Sequence, residues 1–132
     1  MATVTKYGYT ATAKRIIGTT ATAFSSMALG SGSQADSTDL QSLQSEIAAS
    51  GLARASAATA DVVSSATASD TCRFVHTWTA TASLASGVKE CGVLNSATTG
   101  DMLAYGTFAS AIPMESGDTL QVTWSVQVKA GA

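Results

Sequence analysis

The clearest pattern of apolar and polar positions lies near the C-terminus of the chain. From residue 120 to residue 128 apolar residues alternate strictly with Gln, Thr and Ser. A period of two over this length predicts a strand with one buried and one solvated face, as in an antiparallel sheet packed on a second layer. We expect Trp124 to anchor the core here. The predicted core residues of this strand are Leu120, Val122, Trp124, Val126 and Val128.

A second alternating segment begins at Cys72. Phe74, His76 and Trp78 fall on one side of an extended chain, with Arg73, Val75 and Thr77 on the other. This segment is predicted to be a central strand, with Phe74 and Trp78 in the core. Residues 88–94 and 102–108 follow as two more strands, which a Gly-containing connection of hairpin length joins in antiparallel order.

The N-terminal half is more weakly patterned. Residues 2–12 and 19–29 contain β-branched and small residues typical of strands, and residues 52–67 suit one or two short strands, or a strand and a loop. Leu40, Leu43 and Ile47 instead follow helical spacing, with Ser37 or Thr38 as an N-cap. The sequence therefore predicts one short helix over about residues 37–49.

Together these elements predict an all-β chain. At 132 residues it fits a single domain, an antiparallel β-sandwich or jelly roll with one short α-helix. Residues 1–17 are interpreted as an N-terminal assembly arm or an edge strand. Its aromatic and basic side chains are the candidate partner contacts, namely Tyr7, Tyr9, Lys14 and Arg15.

The charge content is unusually low. Charged residues make up 12% of the chain, about half the usual share, and the net charge is -2. The basic residues are scattered, which argues against nucleic acid as a partner. No apolar run approaches the length of about 18 residues that a membrane span needs, and Gly18 interrupts the only basic-then-apolar segment, so neither a membrane nor a cleaved signal is expected.

The residues that could carry chemistry are few. His76 is the sole histidine, and we interpret it as packed among aromatic side chains with a hydrogen bond to backbone or threonine; a dyad with Cys72 or Cys91 is the alternative. The two cysteines, with eighteen residues between them, match no zinc, haem or CxxC pattern. They are interpreted as semi-buried small apolar residues, or as a cross-strand disulfide if their strands are neighbours.

Carboxylates also form no recognisable site. Asp36 with Asp39, and Asp61 with Asp70, lack the dense alternating spacing of a calcium loop, so we expect caps and turns. We therefore predict no catalytic residue, no metal and no cofactor, and we do not expect an enzyme.

Several segments resemble small structural proteins of tailed bacteriophages. The resemblance extends over most of the chain after Phe24 and consists of turn and strand patterns rather than chemical motifs. It lies in residues 28–32, 37–47, 51–54, 89–95, 102–108 and 116–124.

The resemblance implies a virion protein that is assembled in the host cytoplasm. The most specific function it suggests is capsid decoration or cement, in which the module binds the major capsid protein; a neck, tail or fibre component is the alternative. Strand edges and a weakly charged surface lead us to expect a homo-oligomer, a dimer or trimer. The alternative of another class is a cell-surface adhesive or carbohydrate-binding module whose stacking platform would be Tyr7, Tyr9, Trp78 or Tyr105.

Overall fold

The structure, a computed structural model, describes residues 2–65 and 69–129. These residues form eight strands and one α-helix. In chain order they are β1 (Ala2–Val4), α1 (Lys6–Ile16), β2 (Ser26–Gly30), β3 (Ala55–Ser56), β4 (Thr59–Ser64), β5 (Ser69–Thr79), β6 (Leu84–Leu94), β7 (Met102–Met114) and β8 (Thr119–Gln127).

The strands form two antiparallel sheets. Sheet A has five strands in the order β1-β7-β6-β2-β3, and sheet B has three in the order β4-β5-β8. Every pairing between neighbouring strands is antiparallel. The predicted all-β, sandwich-like fold with a single short helix is therefore confirmed.

The core fills the space between the two sheets. Phe74 and Trp78 of β5 and Val122 of β8 are buried there, as the alternating pattern predicts. Three further predicted core residues, Leu120, Trp124 and Val126, pack against this core but are only partly buried.

Val128 is a wrong core prediction, because its side chain is 61% exposed. It follows the end of β8, although its backbone N–H still donates to the Asp70 carbonyl oxygen. Val62 of β4 lies opposite Cys72 of β5, which lies opposite Val126 of β8, so all three are on the same face of sheet B. Val62 is exposed as well. Alternation continues past the region that sheet A covers, so an inward-pointing side chain reaches solvent there.

The helix predicted over residues 37–49 is also wrong. This segment is irregular, with turns, bends and an isolated β-bridge between Glu46 and Gly30, and Ile47 donates its N–H to the Leu29 carbonyl oxygen at 2.9 Å. The Ser37 hydroxyl accepts a hydrogen bond from the Asp39 N–H at 3.1 Å, a local turn that competes with helical bonding. Leu43 and Ile47 are buried, as their apolar character suggests, but they attach an irregular loop to the sheet.

The helix lies instead where a strand was predicted. Only residues 2–4 of the predicted strand over residues 2–12 are extended, forming β1 at the edge of sheet A. Thr5 caps α1 by accepting the Gly8 N–H at 3.3 Å, while its own N–H donates to the Leu103 carbonyl oxygen at 2.9 Å. At Gly8 an added Cβ would lie 2.7 Å from Leu103 Cδ1, so glycine allows the helix to approach β7. These long-range contacts favour a helix despite weak propensity.

The remaining strand predictions hold with changed limits. The strand predicted over residues 19–29 begins only at Ser26. The two later strands are longer than predicted, forming β6 and β7, and β7 continues past Pro113 to Met114. Within residues 52–65 the short strands are β3 and β4; residues 66 and 67 of that prediction lie outside the described residues. No helix in the described ranges has the length and apolar character to cross a membrane.

Candidate functional site

The outward side of α1 carries exposed apolar side chains. Tyr9 is 58% exposed and Ile16 is 79% exposed, and their spacing of seven residues places them on one side of the helix with Ala13. Ile17, at the C-cap, is 78% exposed. We call Tyr9, Ala13, Ile16 and Ile17 the α1 face. A surface helix normally turns its apolar residues inward, whereas these side chains point to solvent.

All four predicted contact residues lie on α1. Tyr9 belongs to the α1 face, Tyr7 is half-buried, and both Lys14 and Arg15 are exposed in the last turn. The Arg15 guanidinium donates to the carbonyl oxygen of Ala21. Positive charge at the C-terminal end of a helix is favourable, and here it also borders the exposed isoleucines.

An open groove of about 460 Å³ lies beside the helix. Its lining combines Tyr7 and Lys14 of α1 with Phe24 and with Asp101 from the connection between β6 and β7. The groove holds both charges and aromatic carbons. Its lining includes none of the four residues of the α1 face.

Glu90 is a fully buried acid that the sequence analysis did not single out. Its Oε1 accepts the Ser45 N–H at 2.8 Å, and its Oε2 accepts the Tyr105 hydroxyl at 2.8 Å. The Tyr105 oxygen in turn accepts the Gln34 N–H at 3.0 Å. Burial raises the pKa of Tyr105 to about 12, and the Glu90 carboxyl group adds to the rise. The carboxyl group thus attaches the loop 31–54 to sheet A.

Arg54 makes a second attachment within the same loop. Its guanidinium forms two hydrogen bonds with the Glu46 carboxylate, at 2.7 and 2.6 Å, and its Nη1 donates to the carbonyl oxygens of Ser96 and Thr99. The Arg54 side chain is only 7% exposed. A planar guanidinium suits this fork geometry, and its contacts join two loops instead of leaving a cation for a ligand.

The aspartates that the sequence analysis considered in pairs bind different partners in the structure. Asp39 forms an ion pair with Lys6 at 2.8 Å, and Asp61 forms two hydrogen bonds with Arg73, its cross-strand neighbour. Asp70 accepts from Ser65, Thr71 and Gln127. Within residues 2–65 and 69–129 no group of three or more His, Cys, Asp or Glu side chains could hold a metal ion.

The Asp70 contacts predict a pH dependence of stability. Hydrogen bonds, first from Gln127 and then from Ser65, lower the pKa of Asp70 from 3.8 to about 2. A depressed folded-state pKa stabilises the fold fully above the unfolded value, and this contribution is lost as the pH falls from about 4 to about 2. Asp70→Asn should therefore lower Tm at pH 7 and flatten the acid-side fall of Tm in that window. Thermal melts between pH 2 and 7 test this, with exposed Asp36→Asn as the control; an unchanged profile for Asp70→Asn would contradict it.

His76 does not form a reactive dyad with either cysteine. Its ring packs edge-to-face on Trp78, with centroids 4.6 Å apart, and its buried Nδ1 makes no hydrogen bond in the described part of the chain, contrary to the predicted bond. Cys72 lies four residues away along β5, about 13 Å in an extended strand. Burial raises the pKa of the Cys91 thiol to about 11, which leaves it protonated and unreactive at neutral pH.

The two cysteines are free and belong to different sheets, Cys72 to β5 and Cys91 to β6, so the cross-strand disulfide is not formed. Cys72 is exposed, contrary to the interpretation of both as semi-buried apolar residues, whereas Cys91 is buried. The indole of Trp124 offsets part of the rise in the Cys91 pKa.

Two of the four aromatic rings considered for carbohydrate stacking are buried. Trp78 is 3% exposed and donates its indole N–H to the Ala53 carbonyl oxygen at 2.9 Å, and Tyr105 is fully buried. Neither ring can stack on a ligand. Of the candidate rings, only Tyr7 and Tyr9 reach the surface, and both lie on α1.

Comparison with known proteins gives no relative: no family model, curated protein or solved structure matches the chain.

The α1 face was located only in part by the sequence analysis. An apolar pair, Ile16-Ile17, directly after the basic pair Lys14-Arg15 was the available signal. Glu90 offered no such signal, because its partners come from positions 45 and 105.

Proposed function

We propose that this chain is a non-enzymatic structural protein of a bacteriophage particle, which binds the major capsid protein as a decoration or cement protein and stabilises the head. The α1 face carries the proposal. It presents Tyr9, Ile16 and Ile17 to solvent on a helix that Thr5 and Gly8 hold against sheet A. The resemblance to small tailed-phage structural proteins indicates the class of partner.

Docking of the α1 face would bury apolar side chains that the isolated protein leaves in water. A fully buried isoleucine contributes roughly 1.5–3 kcal/mol relative to an exposed one. Ile16 and Ile17 are therefore suited to be the central anchors of an interface, with Tyr9 beside them. Lys14 and Arg15 at the rim would orient the helix towards acidic groups of the capsid subunit.

The rest of the surface suits repeated close packing. By strand alternation, the outer face of sheet B consists mainly of threonine, serine and glutamine, crossed by the Asp61–Arg73 ion pair. A weakly charged surface offers little repulsion between neighbouring copies. This supports a protein present in many copies on one particle, whereas a neck or fibre component would occupy a few positions.

A double substitution on the α1 face tests the proposed function. Ile16→Ser with Ile17→Ser should reduce incorporation into particles at least about tenfold, since it removes the two anchors of the interface. The unfolding transition should stay close to that of the unmodified protein because both side chains are already exposed. Quantification of the protein in purified particles and a thermal melt give the two measurements.

The matched control is Val62→Ser, which changes an apolar residue that is also exposed but lies on β4. We expect this variant to be incorporated normally. Equal incorporation of the double variant and the unmodified protein would contradict the role of the α1 face. Cryo-electron microscopy of the particles then distinguishes a decoration protein, with copies on the order of the capsid subunit number, from a neck or fibre component at one vertex.

A further inference from the structure

β8 is an open edge of sheet B. It pairs with β5 through nine consecutive residue pairs, from Thr71 opposite Gln127 to Thr79 opposite Thr119, with no register shift. Its other side pairs with no strand in the described part of the chain. This side therefore presents a row of backbone groups.

The residues whose backbone N–H and C=O groups face away from β5 can be identified. At one end of the pairing Ala80 donates its N–H to the Asp118 carbonyl oxygen, and at the other Val128 donates to the Asp70 carbonyl oxygen. Even-numbered residues of the strand therefore point their N–H and C=O towards β5. Because hydrogen-bonding direction alternates along an antiparallel strand, the odd-numbered residues point theirs to the open side. These are Thr119, Gln121, Thr123, Ser125 and Gln127.

The other edges have the features that discourage further pairing, and β8 does not. β1 and β3 are three and two residues long, and β4 carries Asp61 and a register shift at Val63 and Ser64. β8 extends over nine residues without a charged residue, a proline or a glycine. A long, regular, uncharged edge of this kind is a template for a further strand.

A cleft lies directly beside this edge. It has a volume of about 270 Å³ and is lined by Ala2 and Phe108 of sheet A and by Val122 and Trp124 of β8. The buried Cys91 also contributes to its lining. An added strand would place its inward side chains over this cleft and cover the half-buried rings of Phe108 and Trp124.

We propose that the added strand is β8 of a second copy of this chain, antiparallel about a twofold axis at Thr123. In that register Val122 lies opposite Trp124 of the second copy, and Leu120 lies opposite Val126. On the outer face Gln121 lies opposite Ser125, so apolar residues meet apolar residues and polar residues meet polar residues. The open groups face each other and form about ten backbone hydrogen bonds. Two sheets of three strands become one sheet of six, and the lack of charge on β8 leaves no repulsion at the joint.

This dimer depends on β8 alone and is independent of the proposed function. Sedimentation equilibrium of the full chain should give twice the monomer mass of 13.2 kDa at high concentration. Thr123→Pro removes an open N–H at the twofold axis while leaving the bonds to β5, and should return the mass to 13.2 kDa. Thr123→Val keeps this N–H and should remain dimeric.

Amide hydrogen exchange of the unmodified protein gives a test that needs no variant. The amides of Gln121, Thr123 and Ser125 should be protected at high concentration and lose protection on dilution, whereas those of Val122 and Trp124 stay protected at both. A monomer at concentrations up to about 1 mM would overturn the proposal. A dimer whose mass Thr123→Pro leaves unchanged, or whose odd-numbered amides exchange freely, would overturn it equally.

Discussion

Trp78→Ala is expected to lower the free energy of unfolding by about 3–5 kcal/mol, the usual cost of removing a large aromatic side chain from a packed core. Trp78 is 3% exposed near the end of β5, the central strand of sheet B, and its ring packs on His76. The substitution also leaves the Ala53 carbonyl oxygen without the indole N–H that it accepts at 2.9 Å. Small domains have total stabilities of about 5–15 kcal/mol, so this one change removes a large part of the stability.

Urea denaturation followed by circular dichroism measures the loss without depending on tryptophan fluorescence. Trp124→Ala is the matched comparison, because Trp124 is opposite Phe74 in the same sheet but is only half-buried. Its loss should be smaller, roughly 1–2 kcal/mol, because less apolar area returns to water. A loss for Trp124→Ala equal to that for Trp78→Ala would contradict this ranking and show that Trp124 anchors the core as strongly as Trp78 does.

The C-terminal half could be predicted because its pattern is local. A strand between a core and solvent must alternate, and β5 and β8 do so over most of their length. Alternation assigns a face to each side chain but not how far the opposite sheet extends. Val128 was assigned to the correct face for this reason, yet it lies beyond the core.

In the segment 37–49, by contrast, helical spacing led to a wrong prediction of secondary structure. Leu43 and Ile47 are buried, so the apolar positions were informative, but the same spacing also fits a loop that fixes single side chains in pockets of a sheet. Ser31 donates to the Ser45 carbonyl oxygen at 2.9 Å, and Ser45 donates to Glu90, bonds that a helix would have used internally. Contacts with a distant strand thus decided the local conformation, and the sequence does not display them.

At α1 a strand was predicted where the chain forms a helix, and the cause is related. Threonine, tyrosine and glycine in this segment are weak helix formers and suggested a strand. The helix depends on the Thr5 cap and on the contact between Gly8 and Leu103, which only the folded chain brings together. Assigning the segment to partner contact nevertheless located residues that are exposed on this helix, Tyr9, Lys14 and Arg15.

Glu90→Ala is expected to lower the free energy of unfolding by about 3–4 kcal/mol. The change leaves the Ser45 N–H and the Tyr105 hydroxyl without their acceptor, and a buried unsatisfied polar group costs about 1–3 kcal/mol. It also opens a cavity beside Gly30, where an added Cβ would collide with the Glu90 carboxyl group. The loop 31–54 should separate from sheet A more readily, so its cleavage by a protease in the native state should become faster.

Glu90→Gln is the control, since its amide oxygen can still accept one of the two hydrogen bonds and its volume is unchanged. We expect a loss of roughly 1–2 kcal/mol and a smaller rise in the rate of loop cleavage. Chemical denaturation and limited proteolysis of both variants provide the measurements. A buried acid kept for catalysis or ligand binding commonly reduces stability, so its removal would leave the fold equally stable or more stable. Stabilisation by Glu90→Ala would therefore contradict the structural role and direct attention to Glu90 as a functional group.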